Sequence, residues 1–112
     1  MPNMGLLATL PTRGIIVTSL SQSNTYGDEK VDFVSRFFAP SVGVDEDPVT
    51  GSAHCCLAPY WSALLDRAIL RGFQASQRGG VVDMTMAGDR VKLRGCAVTT
   101  LVAELTDIAL ED

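Results

Sequence analysis

The run SAHCCLAPYWSALLDRAIL, residues 52–70, decides the fold. Its residues Ala53, Cys56, Leu57, Tyr60, Trp61, Leu64, Leu65, Ala68 and Ile69 recur at spacings of three and four, the period of a helix face. The spacing predicts a helix over 52–70, continuous through Pro59. Few polar residues interrupt it before Asp66, and a helix apolar around most of its girth is expected to be enclosed on several sides. Beyond Gly72 the period changes to two. Residues 73–76, 81–87 and 89–105 read as strands, the last two joined by a tight turn at Ala87-Gly88-Asp89-Arg90. Ahead of the helix, Gly14-Ile15-Ile16-Val17-Thr18 reads as a buried strand, and Val31–Phe38 as a strand with one face better buried. Residues 21–30 and 39–51 read as loops, and Leu6, Leu7 and Leu10 suggest a short helix closed by Pro11. Two strands, a central helix and a three-stranded meander make one α+β domain, a mostly antiparallel sheet curled around one helix.

The bulk properties narrow the function. One domain is the expectation for 112 residues, and 46% apolar against 20% charged residues supports a packed core. Thirteen acids against nine bases give a net charge of −4, which repels phosphate backbones and argues against nucleic acid as a partner. The longest apolar run, 53–65, is broken by His54, Pro59 and Ser62 and falls short of the roughly 20 residues that cross a bilayer. Residues 1–12 hold no base and two prolines, unlike a signal peptide. Three cysteines, two of them adjacent, do not make a disulfide framework, so a reducing cytoplasmic setting is expected.

The densest chemistry lies just before the helix, in Val44-Asp45-Glu46-Asp47-Pro48-Val49-Thr50-Gly51-Ser52-Ala53-His54. Thr50 or Ser52 can cap the helix through a side-chain oxygen, and Gly51 lets a ligand approach the backbone closely. The first-turn amides and the positive end of the helix dipole suit a carboxylate. Asp47 beside that end serves better as an acceptor or base than as a standing acid. The same residues also make an ordinary helix start, and spacing alone leaves both readings open.

Longer motifs resemble a known family. Residues 32–40 (DFVSRFFAP) and 46–54 (EDPVTGSAH), then 57–61 (LAPYW), 74–80 (QASQRGG) and 88–95 (GDRVKLRG), resemble the phenazine-biosynthesis PhzF-like family in order and wording. Leu10-Pro11-Thr12-Arg13-Gly14 is similar to it as well. The resemblance implies a diaminopimelate epimerase-like fold of two similar domains with the active site between them. It implies cofactor-free isomerisation, a proton shifted between carbons of a small hydroxy or amino carboxylic acid. Asp47 and Ser52 match the family's substrate-contacting, proton-moving positions, with Gly51 and Thr50 at the turn that opens the helix. Arg78 and Gly79 match a turn near the ligand-facing edge. Epimerase relatives use a thiol pair, but no cysteine lies in 45–52, which disfavours a thiol mechanism.

The departures carry equal weight. The family's principal acid/base is a glutamate in an N-terminal domain, in a motif resembling Asn-x-Ser-Glu-Thr, and that motif is missing here. Residues 1–112 are therefore expected to be the C-terminal domain alone, a truncated, split or fragmentary member with half of a proton-transfer site. The partners implied are a small carboxylate and either a second copy or a separately encoded N-terminal domain. The alternative function is a non-catalytic carboxylate-binding or dimerisation module.

Other residues read more plainly. Cys55 and Cys56 point about 100° apart on a helix and lack a CxxC companion, so buried thiols are expected rather than a metal site. Cys96 reads as strand packing, and His54 as a structural hydrogen-bonding residue. Tyr60 and Trp61 read as core or interface aromatics. Arg90, Lys92 and Arg94 alternate as on a solvated sheet face.

Overall fold

Phe33–Phe38 forms the strand at which the molecule is organised, here called β4, because both of its neighbours in the sheet pack against it. The computed structural model describes residues 1–21, 25–26 and 29–107. Its elements are α1 (Met4–Ala8), β1 (Ile15–Leu20), β2 (Thr25–Tyr26), β3 (Glu29–Lys30), β4, α2 (Gly51–Leu65), β5 (Ile69–Gln74), β6 (Gly80–Ala87) and β7 (Arg90–Arg94). A five-stranded sheet runs β1-β4-β5-β6-β7, and β2 with β3 makes a separate two-stranded ribbon. Pairing is antiparallel throughout except between β4 and β5, which are parallel. Parallel neighbours need a crossover, and α2 supplies it. The fold is α+β, a mixed and mostly antiparallel sheet against one helix.

Alternation writes the core. β4 buries Phe33, Ser35 and Phe38, β5 buries Leu70, Gly72 and Gln74, and β6 buries Val82 and Met84. Against these faces α2 sets Ala53, His54, Leu57, Ala58 and Trp61. Phe33 and Trp61 stack at 5.7 Å between centroids. Trp61 Nε1 donates to Thr18 Oγ1 (3.0 Å), whose hydroxyl donates to the Val34 carbonyl (2.8 Å), so the indole nitrogen is satisfied where it meets β1. Fully burying a side chain such as Phe33, Leu70 or Met84 stabilises by about 1.5–3 kcal/mol each.

Several expectations need correcting. Only one face of α2 is covered: Cys55, Cys56, Tyr60 and Leu64 on the other are exposed, so the helix is not enclosed on several sides and those thiols are not buried. The helix ends at Leu65, not Leu70. Asp66 takes the left-handed conformation (φ 50°), and Ser62 Oγ donates to the Arg67 carbonyl (2.6 Å), turning the chain so that Ile69 and Leu70 start β5. β1 is an edge strand and only partly buried. Strand β7 stops at Arg94. Residues 95–107 form no element and lie exposed, Cys96 among them. The loop expected at 21–30 lies partly outside the described residues, and its described parts form β2 and β3.

The turn at Ala87–Arg90 closes β6 on β7 as expected, with Ala87 opposite Arg90 and Gly88 at φ 60°. A positive φ at the first central residue is what a type II′ hairpin requires.

Candidate active site at the start of the central helix

The loop between β4 and α2 is held at both ends. Asp47 N donates to the Phe37 carbonyl (3.0 Å), and Ala39 and Val44 exchange two backbone bonds (3.0 and 3.1 Å) around a 3-10 turn at Pro40–Val42. On its far side Val49 packs so tightly on Gly80 that a Cβ there would stand 2.2 Å from Val49 Cγ2. Only glycine lets β6 approach this loop so closely.

Thr50 is the N-cap residue, but its side chain does not cap. Its hydroxyl donates to Asp47 Oδ2 (2.6 Å) instead. Behind both sits Gln74, fully buried at the end of β5. Gln74 Oε1 accepts from Thr50 N (2.7 Å), while Nε2 donates to the Asp47 carbonyl (2.8 Å) and Thr50 Oγ1 (3.0 Å). A buried amide bonded at both ends fixes the Asp47–Thr50 corner, since breaking it would strand buried polar atoms at about 1–3 kcal/mol each. His54, also fully buried, lies one turn on, with Nδ1 2.7 Å from the Thr50 carbonyl. A carbonyl has no proton to give, so Nδ1 carries it and Nε2 holds the lone pair. Nε2 has no hydrogen-bond partner among the described residues. Burial pushes the His54 pKa below its ordinary value, and the Thr50 bond opposes this only in part.

The corner faces a cavity of about 200 Å³ whose lining includes Asp47, Thr50 and Ser52, with Arg13, Phe37 and Val44 opposite. Ser52 is exposed there, and its hydroxyl makes no hydrogen bond among the described residues. Arg13 is carried to the rim because Ser41 Oγ donates to the Thr12 carbonyl (3.0 Å). Its guanidinium forms no ion pair among the described residues. A carboxylate acceptor, a hydroxyl and a cation thus share one small cavity at an uncapped helix start. Gly51 is exposed at the same turn, where an added Cβ would only brush Leu93 Cδ1 at 3.8 Å.

Neighbouring charges are committed elsewhere. Glu46 takes a two-pronged bond from Arg36, Nε to Oε2 at 2.9 Å and Nη2 to Oε1 at 2.7 Å. That hydrogen bonding, more than the ion pair's Coulomb attraction, holds the Glu46 carboxyl below its usual value and raises Arg36. Arg71 binds Asp83 at 2.5 and 3.0 Å and Glu29 at 2.8 Å on the outer sheet face, and lowers the Asp83 pKa chiefly through those hydrogen bonds. Among the described residues no cluster of three or more His, Cys, Asp or Glu could hold a metal, and no helix is long and apolar enough to cross a membrane.

Of the residues predicted from sequence, Asp47, Thr50, Gly51 and Ser52 come together. Arg78 and Gly79 do not join them. They line a separate cavity of about 960 Å³ near Tyr26 and residues 95–98. Their turn is tied to the site from behind, Ser76 Oγ donating to the Pro48 carbonyl (2.8 Å) and accepting from Gly79 N (2.9 Å). Volume alone does not choose between these cavities. The smaller one brings a carboxylate, a free hydroxyl and a guanidinium together at the helix start. Sequence reasoning missed Gln74 and Arg13 as site residues. A glutamine on the buried face of β5, in step with Leu70 and Gly72, was the available signal for the first.

Comparison with known proteins identifies a family. Residues 1–103 match the phenazine biosynthesis-like protein (PhzC-PhzF) family. An uncharacterized isomerase of Halalkalibacterium halodurans is 55% identical over 93% of this chain and 37% of its own length. Another from Pseudomonas aeruginosa is 53% identical over 87% of this chain and 34% of its own. The phenazine biosynthesis-like domain-containing protein of Rattus norvegicus is 44% identical, over 94% and 36%. A crystal structure of a PhzC/PhzF protein from Clostridium difficile superposes with a TM-score of 0.78 at 37% identity, covering 95% of this chain and 39% of that one. One from Enterococcus faecalis gives 0.73 at 37% identity, over 87% and 36%. The chain thus spans little more than a third of the relatives it matches. By sequence and by fold, the chain belongs to the phenazine biosynthesis-like, PhzC/PhzF family, whose relatives include proteins named as isomerases.

Proposed function

We propose that this chain forms one wall of a proton-shift isomerase site for a small hydroxy or amino carboxylic acid. The carrying observation is the convergence of Asp47, Ser52 and Arg13 on one cavity at an uncapped helix start. The substrate carboxylate is held by the Arg13 guanidinium and the first-turn amides, and Ser52 Oγ donates to a substrate oxygen. Asp47 accepts the proton from the carbon beside that carboxylate, acidified because the guanidinium and amides offset the carboxylate charge. Thr50 occupies Oδ2, leaving Oδ1 to act. The electron pair stays on the substrate and the proton returns to another carbon, so no redox partner or cofactor is needed.

Returning the proton to a carbon or face that Asp47 does not reach calls for a second acid/base. Glu46 is paired with Arg36 and His54 is buried against Thr50, so neither is free for that task. The second group belongs to the remaining two thirds of the relatives' length, the glutamate of an N-terminal domain. A cavity of about 200 Å³, below the roughly 300–1,000 Å³ of whole ligand sites, fits half of a shared pocket. Three exposed, unpaired thiols suit a reducing cytoplasm.

Calorimetry with a panel of small hydroxy and amino carboxylic acids tests the wall. Binding is expected to be saturable and to weaken roughly tenfold or more in Arg13→Ala and in Ser52→Ala, each of which removes a bond to the bound acid. Solvent deuterium should not enter the ligand's C–H positions with this chain alone. Equal binding by both variants overturns the reading, and enzyme-like deuterium exchange overturns the need for a second domain.

A further inference from the structure

Gln74 is a polar residue at a position where the alternation of β5 calls for an apolar one. It follows Leu70 and Gly72 on the buried face, and its side chain is 0% exposed. An amide is costly to bury unless its bonds are met, and here three are. Their direction is fixed by the backbone. Thr50 N has only a proton to give and the Asp47 carbonyl only lone pairs, so Oε1 faces the first and Nε2 the second. The remaining Nε2 proton falls to Thr50 Oγ1 at 3.0 Å. A hydroxyl that accepts there has one proton of its own, and Asp47 Oδ2 stands 2.6 Å away to receive it.

Thr50 occupies the place from which a helix is usually capped. Its backbone is extended (φ −115°, ψ 109°), the ordinary geometry of an N-cap, and a turn about χ1 would let Oγ1 accept from a first-turn amide. It makes no such bond. A cap and a single bond to the half-buried Asp47 are of similar worth, so these two alone would leave the rotamers near balance. Gln74 breaks the tie. Turning Thr50 away would strand a fully buried Nε2 proton, which disfavours the capping rotamer roughly tenfold to a hundredfold.

We propose that Gln74 is a positioning residue of the site. It holds Thr50 in the rotamer that leaves the first-turn amides uncapped for the substrate carboxylate, and through Thr50 it ties Asp47 Oδ2. That role rests on the binding of an acid at the helix start proposed above. Gln74 reaches the substrate only through Thr50 and Asp47, and the bonds it uses are all made inside this chain's own core.

Three-bond NMR couplings to the Thr50 methyl carbon report its χ1 rotamer, and calorimetry with the panel of small hydroxy and amino carboxylic acids reports the open helix start. Both are read on the full chain and on Gln74→Met, and calorimetry also on Gln74→Met combined with Thr50→Val. The expected result is a single rotamer in the native chain and averaged couplings in Gln74→Met. Acid binding should weaken about threefold in that variant, because the dissociation constant is divided by the fraction left uncapped. Adding Thr50→Val should recover the lost affinity, since valine brings no oxygen to the amides. A merely structural glutamine predicts the reverse, a further loss when a second hydrogen-bonding group is removed. A Thr50 rotamer unchanged in Gln74→Met overturns the proposal, as does a double variant that binds no better than the single one. Should Gln74→Met fail to fold, the native chain decides. A single rotamer aimed away from the helix, with slowly exchanging Gln74 amide protons, upholds the role, and averaged couplings or a capping rotamer overturn it. If no acid binds the native chain, the reading of the site fails and this role with it; if acids bind while Thr50 ignores Gln74, this role alone fails.

Discussion

His54 shows how one residue binds the site to the core. Its Nδ1 proton serves the Thr50 carbonyl, its ring lies 6.1 Å from that of Phe33, and no water reaches it. Burial holds its pKa below that of the unfolded chain, so the unfolded state takes up a proton first as pH falls. The contribution of this group is complete above the unfolded histidine value of about 6.5 and is lost progressively below it, at up to about 1.4 kcal/mol per pH unit until the folded value is reached. Glu46 and Asp83 have depressed values and lose their contributions only below the ordinary carboxylate range. Urea midpoints are therefore expected to fall between pH 7.5 and 5.5 in the native chain. They should stay flat in His54→Gln, whose amide can still donate toward Thr50 without titrating. A native midpoint unchanged over that interval would contradict a buried neutral imidazole.

At the scale of elements, α2 carries its own flaw. Pro59 lies inside Gly51–Leu65, beyond the first turn, where it removes a backbone donor and crowds the carbonyl four residues back. Pro59 is exposed, so its ring contributes little packing. Pro59→Ala is expected to stabilise the protein by about 1–2 kcal/mol, a helix gain near 3 reduced by the freedom that proline takes from the unfolded chain. A thermal midpoint that falls would mean that Pro59 helps to position the helix start. The helix itself was legible in sequence through its three-and-four spacing, as were β4, β6 and the Gly88 hairpin through alternation and turn chemistry. Its end was not, because Ala68 and Ile69 continue the helical period while a single left-handed Asp66 breaks the backbone. Nor was the parallel β4–β5 pair, which depends on where the crossover returns. The Asp47–Ser52 corner was legible because six adjacent residues compose it. Gln74 and Arg13 were not, because strand register and the Ser41–Thr12 bond bring them in from distant sequence.

On the scale of the whole molecule, the radius of gyration is 17.4 Å, against roughly 13 Å for a compact domain of this length. The excess belongs to residues 95–107, which read as a strand in sequence and pair with no strand among the described residues. An element with strand chemistry and no ladder adds little to the stability of its own body, because burial, not propensity, supplies most of a strand's free energy. The body is therefore expected to be equally stable with and without it. A chain ended at Gly95 should melt within about 2 °C of the full one, since a segment that buries nothing contributes little. Calorimetric scans of both chains check this. If the shortened chain melts well below the full one, the tail stabilises its own body.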